Sequence, residues 1–183
     1  GVFPEGSEIT FDAGPGAAFE GGGTIFLGGT GELAITRGLA IDGDLDGDGM
    51  PDVTLSADSG PGADDATSRV LTVSDPVPDS GPELRLTGLV IRDGAPQAAG
   101  LGDENGGGIR IGRDSSVRIE DSVISDNSGD TGGGIYADNG ARLEILSSFL
   151  RDNVASGDGG GAFVDDDSRV VVTASTVSGN TAG

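Results

Sequence analysis

Along the second half of this chain, apolar and polar residues alternate in short runs, and the runs recur. Ile109-Arg-Ile111, Val117-Arg-Ile119 and Val123-Ile124 return as Ile135-Tyr-Ala137, Leu143-Glu-Ile145 and Phe149-Leu150. They return again as Ala162-Phe-Val164, Val170-Val-Val172 and Thr176-Val177. Alternation with period two sends successive side chains to opposite faces, so each run predicts a short β-strand. No window repeats apolar residues at helical spacing over a helical length, and almost no helix is expected.

Each unit opens on a glycine triplet, at Gly106, Gly132 and Gly159, and carries an asparagine downstream, at Asn127, Asn153 and Asn180. The step is 26 and then 27 residues (132 − 106 and 159 − 132). A fixed period of this size means stacked supersecondary units, none of which can bury its apolar side alone. Three short strands per unit, separated by Gly, Asn, Asp and Ser turns, predict an all-β fold, a parallel β-helix built as a single-stranded solenoid. Glycines are expected at one corner of the coil. At a second corner the three asparagines are expected to stack their amides in a structural ladder.

The pattern weakens upstream. Leu84 to Ile91 matches Val117 to Ile124 at an offset of 33 (117 − 84), and Leu33-Ala-Ile35, Leu39-Ala-Ile41, Val53-Thr-Leu55 and Val70–Val73 supply further strands. We therefore read residues 1–183 as a single domain, irregular over 1–83 and regular over 84–183. Residues 57–68 and 74–83 are rich in Asp, Ser, Pro and Gly and read as surface loops. About five to six coils at the strand spacing give a rod roughly 25–30 Å long.

The Gly-Gly-Gly-Ile unit with its downstream serine, aliphatic and asparagine resembles the right-handed parallel β-helix repeats of large secreted bacterial and archaeal surface proteins. Polymorphic-outer-membrane-like and pectate-lyase-like β-helix proteins share that shape, and the segment from Leu39 to Thr54 looks like an early coil of such proteins. The resemblance covers nearly the whole chain and implies a fold more than an activity, since that fold hosts lyases, hydrolases, adhesins and inert stalks.

Composition narrows the functional classes. The formal charge is −21, all ten basic residues are arginine, and cysteine and histidine are absent. Such a surface repels phosphate backbones, so nucleic acid is not an expected partner. It suits high ionic strength or divalent cations. No apolar run is long enough to span a bilayer as a helix, and no membrane insertion is expected. Without histidine or cysteine the commonest general base and all thiol chemistry are missing. The last residues, Ser178 to Gly183, end in mid-repeat style, which suggests coils that continue in a longer chain or stack onto another copy.

One segment carries metal-site chemistry. Asp44-Leu-Asp46-Gly-Asp48-Gly-Met50-Pro-Asp52 spaces its carboxylates as oxygen-ligand loops around Ca²⁺ do, with glycines for the sharp turn and the Met50 carbonyl as a further ligand. A second register starts at Asp42, which defines an Asp-rich loop over 42–52. The terminal glutamate of an EF-hand falls at Leu55, so the loop is not an EF-hand. Ca²⁺ is the expected cofactor. Asp165-Asp166-Asp167 and Asp64-Asp65 read as solvated turns.

The alignment also sorts outward residues. Arg110, Tyr136 and Phe163 form one outer column, a candidate strip for a sugar ring or a protein partner. Arg118 beside Glu144 reads as an ion pair between coils, and Ser122, Ser148 and Ser175 as a hydroxyl ladder. No outward column is an acidic cluster, so no catalytic set is assigned. The expected function is a non-enzymatic extracellular or cell-surface module, structural, adhesive or filament-forming, stabilised by Ca²⁺ and self-associating end to end. The alternatives are a polysaccharide-active lyase or glycoside hydrolase, and a glycan-binding module.

Overall fold

A computed structural model describes residues 7–28, 31–75, 81–96 and 103–183. Among these residues the regular structure is all strand. Three parallel sheets run along one axis, and every pairing joins a strand to its counterpart one coil away.

Sheet A stacks β1 (Ser7–Thr10), β4 (Leu39–Asp42), β7 (Glu83–Thr87), β10 (Ser116–Glu120), β14 (Arg142–Leu146) and β18 (Arg169–Thr173). Sheet B stacks β2 (Gly23–Phe26), β5 (Val53–Ser56), β8 (Leu89–Arg92), β11 (Val123–Ser125), β15 (Phe149–Arg151) and β19 (Thr176–Ser178). Sheet C stacks β3 (Leu33–Ile35), β6 (Leu71–Val73), β9 (Ile109–Ile111), β13 (Ile135–Ala137) and β17 (Ala162–Val164). A small fourth sheet pairs β12 (Ser128–Gly129) with β16 (Val154–Ala155). The chain is thus a solenoid of about five turns.

Register follows the aliphatic positions. Leu39, Leu84, Val117, Leu143 and Val170 are successive partners in sheet A, and Leu55, Ile91, Ile124, Leu150 and Val177 in sheet B. A slip of one residue would turn every one of these side chains to solvent, so the apolar alternation fixes the pairing. Leu84, Leu86, Ile91, Ile109, Ile119 and Ile124 are fully buried, and burial of each contributes roughly 1.5–3 kcal/mol.

The regular and irregular halves differ in what the corners hold. Following Ile9, Ile41, Leu86, Ile119, Ile145 and Val172 in turn, the coil step is 32, 45, 33, 26 and 27 residues. The long second step contains the aspartate loop and residues 57–70. That stretch is not wholly a surface loop, because Ala57 and Asp58 are buried (1% and 8% exposed) where the chain turns out of sheet B. The other expected loop yields Glu83 to strand β7, and its residues 76–80 lie outside the described residues.

Corners of a solenoid need residues in the left-handed region. Among the described residues eight that are not glycine occupy it, and six are aspartates: Asp93, Asp114, Asp121, Asp126, Asp152 and Asp167. Asp tolerates this region because its short polar side chain bonds locally. Part of the acidity therefore has a conformational cause.

Candidate metal loop, polar ladders and outer faces

Between β4 and β5 the chain leaves the stack as a ten-residue excursion from Gly43 to Asp52. Its base is tied to the coil: the Gly43 amide donates to the Thr87 carbonyl (2.9 Å), and the Asp52 amide to the Gly43 carbonyl (3.2 Å). Asp52 closes the loop through its side chain, accepting the Leu45 amide at 2.8 Å. Asp42 accepts the Asp44 amide at 3.1 Å.

Inside the loop, Asp44 accepts the Gly47 and Gly49 amides (2.8 and 3.1 Å), Asp46 the Asp48 amide (3.1 Å) and Asp48 the Met50 amide (2.8 Å). Positive φ at Gly47 and Gly49 (76° and 77°) lets the chain fold back between the acids. As a result one carboxylate oxygen each from Asp44, Asp46 and Asp48 lies within 4.8 Å of the others. Asp42 and Asp52 are not in this set. They brace the loop's base, and Met50 is exposed at 63%. Three clustered carboxylates with two glycine hinges form an all-oxygen donor set of the kind a hard divalent cation takes.

The asparagines sit inside the coil. Asn153 is fully buried and Asn127 nearly so. Asn127 donates through Nδ2 to Asn153 Oδ1 (2.9 Å), and Asn153 to Asn180 Oδ1 (3.0 Å). Each also donates to a carbonyl of the preceding rung: Asn127 to Ile91, Asn153 to Ile124 and Asn180 to Leu150. The third glycine of each triplet packs against this ladder. A Cβ on Gly108, Gly134 or Gly161 would lie 3.0 Å from the amide of Asn127, Asn153 or Asn180 respectively, so each asparagine fills the space its coil's glycine leaves. The serines form a parallel ladder, in which Oγ of Ser122, Ser148 and Ser175 accepts the amide of Leu89, Ser122 and Ser148.

Residues 83–183, more than half of the chain, match a family described as the right-handed beta helix region. The chain belongs to the right-handed β-helix family. Nothing among curated proteins and nothing among solved structures matches it.

On the outer face of sheet C, the β-helix aligns Arg110, Tyr136 and Phe163 as direct partners. The two rings are parallel within 2° at 5.7 Å between centroids, and the Arg110 guanidinium lies 5.9 Å from the Tyr136 centroid. Tyr136 therefore has one ring face toward Phe163 and the other toward Arg110, and offers a sugar mainly its edge. Acids fence the column: Arg110 pairs with Asp103 (3.1 Å) and Asp138 (3.5 Å), and the Tyr136 hydroxyl donates to Asp165 (3.2 Å). Burial, with Asp138 and Asp165 nearby, pushes the Tyr136 phenol above its ordinary range. On sheet A, Arg118 reaches both Glu120 (3.1 Å) and Glu144 (3.0 Å).

Sequence reasoning passed over Asp58. Counting three residues on from Leu55, as Asn127 follows Ile124, puts Asp58 at the ladder position of its coil. Burial first, and Asp93 second, raise its carboxyl above the usual range. The neighbouring Asp65 is held low by the Ser59 hydroxyl and amide. The register of the sheets was the missing signal, because irregular coil lengths hide this equivalence in the sequence.

Proposed function

We propose that this β-helix is a non-enzymatic structural or adhesive module of the extracellular or cell-surface kind, and that Ca²⁺ bound by the Asp44–Asp52 loop stabilises it. The convergence of Asp44, Asp46 and Asp48 carries the reading, since three carboxylates within 4.8 Å repel one another unless a cation lies between them. Asp42 and Asp52 support the site by holding the loop's base. The polar interior argues for a scaffold, because the buried asparagines and serines described above spend their hydrogen bonds on neighbouring coils.

End-to-end packing belongs to the same reading. Successive coils join through in-register parallel pairing, as β14 joins β18, and the same pairing lets a coil of another copy add along the axis.

Calcium titration followed by thermal melting tests the proposal. A site filled at about a hundred times its dissociation constant adds roughly 2.7 kcal/mol, which for a chain of this size raises Tm by about 5–10 °C. Chelation should reverse the shift, and Asp46→Asn with Asp48→Asn should abolish it. An equal rise with NaCl at matched ionic strength, or no change on chelation, refutes a structural Ca²⁺ site.

A further inference from the structure

Two of the five asparagines, Asn105 and Asn139, precede glycine. In such a pair the next main-chain nitrogen reaches the side-chain amide carbon most easily, because glycine has no Cβ to obstruct it. Asn139 and Gly140 are the middle residues of the turn from sheet C to sheet A. The Ala141 amide donates to the Asp138 carbonyl (3.0 Å) and Gly140 has a φ of 75°, as in a type II turn. Both residues are only half-buried. The Asn139 main chain is bonded to Asp138 (2.8 Å) and Asp114 (3.4 Å), while among the described residues its side-chain amide has no partner. The Gly140 amide donates across a long 3.2 Å bond to the Asp166 carbonyl of the next turn.

The other asparagines are held. Asn127, Asn153 and Asn180 spend their side-chain amides in the ladder, and the residues after them are Ser128, Val154 and Thr181, all with a Cβ. Gly106 is buried in the packed triplet, and its amide donates to the Thr131 carbonyl at 2.9 Å. A Cβ there would meet the main-chain carbonyl of Ile109 at 2.5 Å, whereas at Gly140 the nearest neighbour is the Asp114 carboxylate, a side chain that can turn away.

We propose that Asn139 is a self-modification site, converted by its own main chain and water while the coil stays folded. The Gly140 nitrogen bonds to Cγ of Asn139, the Cγ–Nδ2 bond breaks, and Nδ2 leaves as ammonia with the proton that the Gly140 nitrogen gives up. Water then opens the five-membered ring. Opening at Cγ gives aspartate. Opening at the main-chain carbonyl gives isoaspartate, in which the chain runs through Cβ and Cγ and is one atom longer. Either product sets a carboxylate between Arg113 and Asp166, the second residues of the turns one coil before and one coil after. The longer chain falls in the turn joining β13 to β14, in the middle of the regular stack, and each coil leans on its neighbours. Age thus weakens the rod from within, and irreversibly. The site is independent of the calcium loop.

Peptide mass spectrometry on the folded chain, aged at mildly alkaline pH, tests this against the same chain aged in concentrated urea. In urea, where sequence alone acts, Asn105 and Asn139 should lose ammonia at similar rates. In the folded chain Asn139 should react at least ten times faster than Asn105, with both products present and the three ladder asparagines intact. Asn139→Gln, whose longer side chain cyclises far more slowly, should keep its Tm through the ageing that lowers the Tm of the unmodified chain. Equal rates at the two sites in the folded chain overturn the proposal, and so does an Asn139 that reacts only in urea. A fall in Tm shared by Asn139→Gln overturns the weakening.

Discussion

Replacing Asn153 by alanine removes the middle of the amide ladder. In the native coil Oδ1 accepts the Asn127 amide (3.1 Å) and the Asn127 side chain (2.9 Å), while Nδ2 donates to the Ile124 carbonyl (3.0 Å) and to Asn180 (3.0 Å). Asn127 Nδ2 keeps its bonds to Ile91 and Ser125, and Asn180 Oδ1 keeps the Asn153 amide. The severe losses are the Asn127 amide and the Ile124 carbonyl contact, both buried, at about 1–3 kcal/mol each when unmade. The void facing Gly134 adds to them, and we expect a total of about 3–6 kcal/mol. At about 2–4 °C per kcal/mol for a chain of this size, Tm should fall by about 10–20 °C. In a solenoid each coil leans on its neighbours, so the loss should appear first in the last rungs. Hydrogen exchange read at residues 149–155 and 176–181 should rise before exchange in β7 and β8. Ser156→Ala, which loses only an exposed bond to Asp130, is the control and should stay within about 0.5 kcal/mol of the parent. An Asn153→Ala protein that melts with that control would show that the ladder contributes no stability.

Asp58→Asn should raise Tm at neutral pH, with the new amide donating to the Ile25 carbonyl by analogy with Asn153 and Ile124. The folded carboxyl titrates above the ordinary 3.8, so its penalty is full above the folded pKa and vanishes below about 3.8; the two proteins should converge as pH falls through that window, and a constant gap would refute the assignment. Gly88→Ala should destabilise the coil and abolish the calcium-dependent shift in Tm, because its Cβ would collide with the backbone of Asp44 at the loop's seat; an unchanged calcium response would count against this seating. Phe163→Ala should lower stability by about 0.5–1.5 kcal/mol, the worth of an aromatic pair, without altering retention on immobilised polysaccharide, and a clear loss of retention would revive the strip as a glycan site.

Fold and register over residues 84–183 were legible in the sequence, because alternation and the 26–27-residue period both survive there. Leu84 pairs with Val117, and Val117 with Leu143, at the offsets the repeat implies. The first half was less legible. Leu33-Ala-Ile35 and Leu39-Ala-Ile41 look like two copies of one strand, yet they lie in different sheets, C and A. Insertions decouple position along the chain from position in the coil, and the same decoupling hid Asp58. Of the candidate metal residues, spacing identified the trio of Asp44, Asp46 and Asp48, but it could not separate them from Asp52, whose carboxylate bonds the Leu45 amide.

The asparagine row has an electrical sense. Asn127 and Asn153 each point one of their two side-chain N–H bonds toward the later coil and their Oδ1 toward the earlier one, and the main-chain amides of Leu89, Ser122 and Ser148 point toward the later coil along the serines. Aligned amide dipoles add, as they do along a helix, leaving partial positive charge at the donor end and partial negative charge at the other. Between Leu89 and Asn180 these two side-chain rows therefore carry a polarity of their own, donors facing the later coil. An asparagine of a neighbouring rung joins this row in one sense only, its Oδ1 accepting from the amide of the rung before it.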